Sequence, residues 1–435
     1  MTKRYSRFLA LAMGLTMLLG LLSACGAGTT TGNTGGDITI KIATDLPVSG
    51  AAASSGKPAE NGAHMAVDEA NSSNFLPGYK FVFEPKDDVG GSGNAEPAVG
   101  AANIAALIDD AQVAAVVGPF NSAVAKAEMP IANKGPLGLI SPSNTNTCLT
   151  QNTPDTGCTG ANDWITSVRP SGKVTYFRIA TTDNHQGGVG ADYSYKTLGY
   201  KTAFVIDDTT VYGVGIANAF IKQYETDGGK VLGHDSIKVT NDYTTELTKI
   251  SHLKPDLIYF AGLDSTGGIP LRKQMVGTAG LEKTPFVGGD GLQTSALAEA
   301  IGTTSGGPVY STVAAVDATK IASAAKFISD YKAKYGDLGA YSASGYDCAK
   351  IILNAIKAAV QGGAKPPANS SDSDAATTFR QAVIDQIAKT DYNGNTGHHS
   401  FDQNGDTTNK TITVYQLADV SGKPGWKYAS SVTLP

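Results

Sequence analysis

From Asp37 onward the chain alternates apolar strand patterns with helical ones, and this alternation restricts the possible folds more than any other feature. Ile38 to Ala43, Tyr79 to Phe83, Val113 to Val117, Leu137 to Ile140, Lys201 to Ile206, Lys230 to Val239, Asp256 to Ala261 and the run from Pro285 up to Asp290 read as strands. Helical spacing appears between them, as at Ala59, Ala63, Ala66, Val67 and Ala70, from Ala98 to Ile108 with a cap near Asn94, from Asn121 or Ser122, from Gly190 to Leu198, in the segment running through Tyr224, from Tyr243 to Ile250 and from Ile269 to Gly277. Such units imply parallel sheets covered by helices on both faces. They are too many for one compact sheet, so the expectation is two doubly wound, Rossmann-like α/β lobes.

Past Gly306 a strand (Val309 to Val316) and two long helices (Ile321 to Tyr335, Tyr346 to Val360) precede a Gly/Pro/Ser/Asp loop and two antiparallel strands, Thr411 to Leu417 and Trp426 to Val432. This change of style near the end suggests that the chain crosses between lobes more than once.

Lys3, Arg4 and Arg7 precede an apolar run from Phe8 to Leu22, followed by Ser23-Ala24-Cys25. A basic head, a short apolar core and small residues describe an export signal over residues 1–24. Leu22-Ser23-Ala24-Cys25 resembles a bacterial lipobox, which implies lipidation of Cys25. An ordinary signal with an incidental cysteine is the alternative, and the position of Cys25 at the end of the apolar run favours lipidation. Residues 25–36 carry no apolar pattern and read as a tether. No later segment is long and apolar enough to span a membrane.

The 34 basic and 39 acidic residues balance to a mildly acidic chain with no Lys/Arg cluster after Arg7, which argues against a nucleic-acid partner. In an exported protein, Cys148 and Cys158, flanking a Thr/Asn/Pro/Gly loop, are expected to form a local disulfide, and Cys348 to be a buried small residue.

Catalytic and metal signatures are missing. Gly50 to Pro58 has the wrong glycine spacing for a phosphate loop, and Gly213-Val214-Gly215 lacks the third glycine of a dinucleotide loop. There is no G-x-S-x-G elbow, H-E-x-x-H or paired C-x-x-C. His398-His399 reads as a solvated pair, and Asp402, Asn404 and Asp406 as residues of a tight turn. Neither a metal, a cofactor nor an enzymatic activity is expected.

Binding chemistry is better supported. The strand Val113 to Val117 turns sharply at Gly118-Pro119 into a helix start at Asn121-Ser122, whose free N–H groups and dipole favour a carboxylate. The next strand ends in Ser143-Asn144-Thr145, which adds neutral donors on the same sheet edge. Asp290, between Gly289 and Gly291 at another strand end, is placed to meet an ammonium group. Each has a plainer reading: Ser122 and Asp290 as helix caps, and Ser143 to Thr145 as a surface turn. Together they fit the two charged ends of an amino acid.

The ordered fragments Leu46-Pro47-Val48-Ser49-Gly50, Asp87-Asp88, Val116-Val117-Gly118, Ile140 to Thr145, Asp207-Asp208 to Tyr212-Gly213, Pro255 to Phe260 and Gly288-Gly289-Asp290-Gly291 resemble bacterial extracellular solute-binding proteins of the branched-chain amino acid transport family, of periplasmic binding protein type I. The resemblance implies two lobes joined by three crossings around one ligand cleft, with residues 37–180 and 314–392 in one lobe and 181–313 and 393–435 in the other. It implies an extracytoplasmic, lipid-anchored monomer that hands its ligand to an ABC permease. A sensor acting on a membrane signalling partner is the alternative.

Carried over, Ser122 or Asn121, Ser143 and Thr145 would hold the ligand carboxylate, Tyr212 would contact it from the second lobe, and Asp290 would pair with the ammonium. The side-chain pocket departs from leucine-type members, with Ser55 in place of a large aromatic and Leu263-Asp264 in place of a tyrosine. That shifts the expectation toward a polar or cationic amino acid, or a related amide.

Overall fold

A computed structural model describes residues 37–153 and 157–435. The proposed signal, Cys25 and the tether lie outside the described residues.

The first lobe is built on a parallel sheet of β1 (Ile38–Leu46), β2 (Tyr79–Asp87), β3 (Val113–Val117), β4 (Gly138–Ser141) and β5 (Tyr176–Arg178), in the order β2-β1-β3-β4-β5. The second sheet contains β6 (Thr202–Asp207), β7 (Lys230–Ser236), β8 (Leu257–Ala261), β9 (Phe286–Gly288) and β10 (Val309–Val313), a parallel series in the order β10-β9-β8-β6-β7. A hairpin, β11 (Tyr392–Gly394) and β12 (Gly397–His399), stands apart. The last strands, β13 (Thr411–Val420) and β14 (Lys423–Thr433), join the second sheet antiparallel beside β10.

The helices are α1 (Ala53–Ser72), α2 (Pro97–Asp109), α3 (Ser122–Lys134), α4 (Ile165–Val168), α5 (Asp183–Asp192), α6 (Val211–Thr226), α7 (Thr244–Leu253), α8 (Ile269–Gly277), α9 (Ser295–Ile301), α10 (Ala325–Tyr335), α11 (Ser342–Gln361) and α12 (Ser373–Ile387). Among the described residues none is long and apolar enough to cross a membrane.

Strand burial explains why the sequence pattern is so plain. All residues of β3, β4, β8, β9 and β10 are buried, because helices cover both faces of each sheet, and their sequences are accordingly runs of apolar and small residues rather than alternations. On the first sheet one core gathers α1, α10, α11 and α12 and a second gathers α2 and α3. The second sheet repeats this with α7 to α9 on one face and α5 with α6 on the other.

The two parallel series share one topology. In each, the first strand in sequence lies between the second and the third, so the strand order reverses direction between β1 and β3 and again between β6 and β8. Crevices at the C-terminal ends of strands beside such reversals are where open α/β sheets hold ligands. The segments concerned are Pro47 to Ala52, Gly118 to Asn121, Asp208 to Thr210 and Gly262 to Leu263.

Three chain segments join the lobes and are bonded to one another. Thr181 N–H donates to the Ala314 carbonyl (3.3 Å), Arg178 N–H to the Gly405 carbonyl (3.0 Å), and Thr413 Oγ1 to the Ala315 carbonyl (2.7 Å). At their centre Arg178, fully buried, pairs with Asp406 at 2.6 Å and donates to the Asn146 carbonyl at 2.7 Å. A small apolar core including Phe120, Val313 and Tyr341 fills the joint.

Several local expectations change. The N-cap of α2 is Glu96, two residues past Asn94 and without a side-chain capping bond, with Pro97 at the first helical position, where a missing N–H costs nothing. β7 ends at Ser236, short of Val239. The helix expected from Gly190 begins seven residues earlier, at Asp183, and α9 and α12 were not anticipated. His399 is buried at 1 % exposure against Thr396 (2.8 Å), so the histidines are not a solvated pair; only His398 faces solvent, beside Asp391. Asp406 belongs to the joint as well as to the Asn404-Gly405 turn. Cys348 is buried, and Cys148 and Cys158 form the disulfide.

Candidate functional site

A cleft between the lobes is lined by Ser54, Ser55, Phe120, Asn121, Ser122, Ser143 and Thr145 on one side and by Tyr212, Leu263, Asp290, Gly291, Gln293 and Thr294 on the other, with Ala340 and Tyr341 at its base. Phe120, Asn121 and Leu263 come from the strand-end loops that the topology singles out. Ser54, Ser55, Ser122 and Tyr212 come from the first turns of the helices that follow such loops, and the others from the segments after β4 and β9 and before α11.

On the first lobe, Gly118 must pass close to the end of β1. Its φ of 145° is one L side chains rarely adopt, and a Cβ there would sit 2.5 Å from the Asp45 carbonyl oxygen. The loop beyond is pinned from the β4 end. Ser141 Oγ donates to the Pro119 carbonyl at 2.7 Å, while Ser143 Oγ and Asn144 Nδ2 donate to the Phe120 carbonyl at 2.9 and 2.5 Å. This holds the start of α3 toward the cleft. No side chain caps that helix, which removes the reading of Ser122 as its own cap, and Asn121 Oδ1 is buried without a hydrogen-bond partner. Uncapped N–H groups at the positive end of a 13-residue helix are suited to an anion. Thr145 Oγ1, also buried, lies beside the Asp183 carboxyl.

Two residues of this loop do something other than expected. Asn144 does not line the cleft; its amide faces inward, between the Phe120 carbonyl and the Tyr176 hydroxyl, which donates to it at 2.8 Å. Ser143 does line it, but its hydroxyl proton is engaged by Phe120, leaving a lone pair rather than a donor for a ligand.

On the second lobe the central group is Asp290. It lies in a short 3-10 turn after β9 whose N-cap is Gly289, so it is not a helix cap. Its Oδ1 accepts from Gln186 Nε2 and from the Tyr212 hydroxyl, both at 2.8 Å, and its Oδ2 accepts from the Tyr341 hydroxyl at 2.8 Å. All three donors are neutral. Burial pushes the Asp290 pKa up, and these hydrogen bonds only partly offset it. Gly289 is needed because a Cβ there would lie 2.3 Å from the Tyr212 oxygen. Tyr212 therefore spends its proton on Asp290 rather than on a ligand carboxylate.

Ser55 and Leu263 are in the lining. Asp264 is not: at 1 % exposure it sits behind the wall, accepting from Thr294 Oγ1 at 2.6 Å, Ser265 N–H at 2.7 Å and Ser54 Oγ at 3.5 Å. Beyond the joint, hydrogen bonds that bridge the lobes include Tyr341 to Asp290, Ser54 to Asp264, Asn146 Nδ2 to the Val211 carbonyl at 2.7 Å, and Asp183 N–H to the Thr145 carbonyl at 2.7 Å. The lobes are thus closed on one another.

Sequence reasoning missed Gln186, Tyr341 and Thr294. Thr294 carried a usable signal, as a threonine capping α9 three residues before Leu297. Gln186 and Tyr341 reach Asp290 from 104 and 51 residues away, and nothing local marks them. Among the described residues no group of three or more His, Cys, Asp or Glu is arranged to hold a metal ion.

Comparison with known proteins agrees with this architecture. The family model described as periplasmic binding protein matches residues 39–423. A Leu/Ile/Val-binding protein of Rhizobium johnstonii is 28% identical over 74% of this chain and 80% of its own length. An amino acid binding protein of Pseudomonas aeruginosa is 29% identical over 71% of this chain and 72% of its own. Among solved structures, the leucine binding protein LivK of Thermotoga maritima superimposes with a TM-score of 0.72 at 25% identity, covering 90% of this chain and 98% of that one. The branched-chain amino acid transporter substrate binding protein LivJ of Streptococcus pneumoniae, in complex with isoleucine, gives 0.70 at 26% identity, covering 91% and 99%. With two like-wound lobes closed over a polar cleft and a family model matching nearly the whole described body, the chain belongs to the periplasmic binding protein family.

Proposed function

We propose that this protein is an extracytoplasmic substrate-binding lipoprotein of an ABC importer, capturing an amino acid or closely related small solute by closure of its lobes and releasing it to a membrane permease without chemical change. The observation that carries the reading is Asp290: a largely buried carboxylate, held by three neutral donors drawn from both lobes and, among the described residues, in no ion pair. An ammonium group would supply the missing positive charge. Opposite it, the uncapped start of α3 suits a carboxylate, with the Thr145 hydroxyl lining the cleft beside it.

Contact with both lobes is what lets a ligand favour the closed form. The bodies we assign to the motion are residues 37–180 with 314–407, and 181–313 with 408–435, so the boundary expected after residue 392 moves toward the C-terminus. The contacts of Asp347 with Asn395 and Thr396 tie the β11–β12 hairpin to α11, so residues up to about Thr407 travel with the first body. Lipid attachment at Cys25 rests on the sequence pattern before it.

Asp290→Ala is expected to weaken amino acid binding by more than tenfold, about 1.4 kcal/mol or more. Calorimetric titration of the folded variant measures this, and unchanged affinity removes the role given to Asp290.

A further inference from the structure

The wall of the cleft not used by the two charged ends of an amino acid is formed by Ser54, Ser55, Leu263, Gln293, Thr294 and Ala340. Its polarity is directional. Asp264, behind it, takes the proton of Thr294 at 2.6 Å and faces the Ser54 hydroxyl at 3.5 Å. Backbone N–H donation from Ser265 at 2.7 Å completes its shell with donors only. Burial pushes the Asp264 pKa up, and these donors partly offset it. Because every neighbour donates to it, its oxygens act as acceptors, and each neighbouring hydroxyl is turned so that its proton faces Asp264 and a lone pair faces the cleft.

Thr294 cannot turn otherwise. Its oxygen also accepts the Leu297 N–H at 3.1 Å as the cap of α9, and its carbonyl is held by Trp426 Nε1 at 2.9 Å. With its proton and one lone pair engaged, only an acceptor remains. Ser54, on α1 of the opposite lobe, presents a second acceptor when the lobes meet. Thr294 and Ser54 therefore offer fixed acceptors on this wall, with Asp264 behind them, while Ser55 and Gln293 beside them can serve in either role. An aliphatic side chain would leave these oxygens buried without partners, and a carboxylate would meet their lone pairs.

We propose that the cleft selects amino acids whose side chain ends in an N–H donor, a carboxamide or a cationic nitrogen, with Asp264 setting the preference by orienting Thr294 and Ser54. This rests on the amino acid capture proposed above and names its ligand class. Leu263, Ala340 and Phe120 give the stem of such a side chain an apolar surface.

The test is calorimetric titration of the mature protein with glutamine, asparagine and arginine against glutamate, aspartate and leucine. The carboxamide and carboxylate pairs are nearly isosteric and differ mainly in donor or acceptor character. We expect at least one donor-bearing member to bind roughly 100-fold more tightly than leucine, and each carboxamide to exceed its carboxylate partner by a similar ratio. Whether glutamine or arginine binds better separates the neutral from the cationic nitrogen.

Asp264→Asn should collapse the glutamine-to-glutamate ratio to below roughly tenfold. If that variant does not fold, Ser54→Ala, on the partly exposed start of α1, should lower the ratio of donor-bearing ligand to leucine affinity by roughly tenfold or more. An unchanged ratio overturns the role given to this wall. Leucine binding more tightly than every donor-bearing amino acid overturns the inference and leaves amino acid capture intact. Binding of none of the six overturns the inference, and capture itself falls if the other standard amino acids and their amides fail to bind as well.

Discussion

Asp406 in the joint and Asp290 in the cleft are both carboxylates enclosed where the lobes meet, and they are completed in opposite ways. Asp406 is bonded to Arg178 at 2.6 Å, with Thr150 at 2.9 Å and Gln151 at 2.8 Å adding donors. Burial pushes its pKa up, but the guanidinium charge and these bonds outweigh it and hold the carboxyl below its ordinary value. Asp290 has hydrogen bonds of the same length but, among the described residues, no ion pair, and burial leaves its pKa raised. A buried charge neutralised from within the chain is a structural joint; one supplied only with neutral donors awaits a partner from outside.

The largest way to break this contrast is Arg178→Met. It strands Asp406 in the joint, and breaking a buried pair from one side costs about 3 to 5 kcal/mol. Urea denaturation should show a loss of that size, and a loss under about 1 kcal/mol would mean that the pair does not hold the joint.

Next comes the disulfide. Replacing Cys148 and Cys158 with serine removes a short loop constraint just beyond Thr147 and should lower stability by roughly 2 to 3 kcal/mol. Because the bridge lies outside the cleft lining, amino acid affinity in the folded variant should change by less than about threefold, well under 1 kcal/mol. A larger change would show that the bridge shapes the site.

A subtler comparison uses pH. Asp183, at the start of α5 where Thr145 O accepts its N–H at 2.7 Å, is buried, and the Thr145 hydroxyl beside its carboxyl only partly offsets the cost of burying its charge. Burial pushes its pKa up to about 8. The folded state then holds this proton more tightly than the unfolded chain, whose carboxylate titrates near its ordinary value of about 3.9. Its contribution is full below that value and is lost as pH rises toward about 8. Asp406 runs the other way: its stabilisation is present above the ordinary carboxylate range and is lost as pH falls through its depressed value. Thermal midpoints of Asp183→Asn should therefore fall less steeply than those of the parent between about pH 5 and 8. Parallel curves for the two proteins would show that Asp183 is not held neutral.

How much of this could be read from sequence follows from the same physics. Strands buried on both faces, such as Val113 to Val117 and Leu257 to Ala261, are uninterrupted apolar or small-residue runs and announce themselves. The first turn of α5, Asp183-Asn184-His185-Gln186, has no apolar rhythm because it lies at the interlobe joint rather than against a sheet core, and its helix was placed too late. Strand-end loops pointed to the right regions, yet residue type did not tell which side chain of a loop turns inward. Asn144 and Thr145 are adjacent, but one supports Phe120 and the other lines the cleft. Asp264 likewise acts one layer behind the surface it was expected to form. The partners of Asp290 had no local signature at all, because Gln186 and Tyr341 meet it only after folding.

The most direct test of the account pairs the ligand's amine with Asp290. The best-bound amino acid and its des-amino carboxylic acid are titrated calorimetrically into the parent protein and into Asp290→Asn. The account predicts that the parent binds the amino acid at least tenfold more tightly than its des-amino analogue, about 1.4 kcal/mol, and that the variant loses most of that difference. Equal affinity of the parent for the two ligands, or a preference undiminished in the variant, would contradict the claim that Asp290 receives the ammonium group.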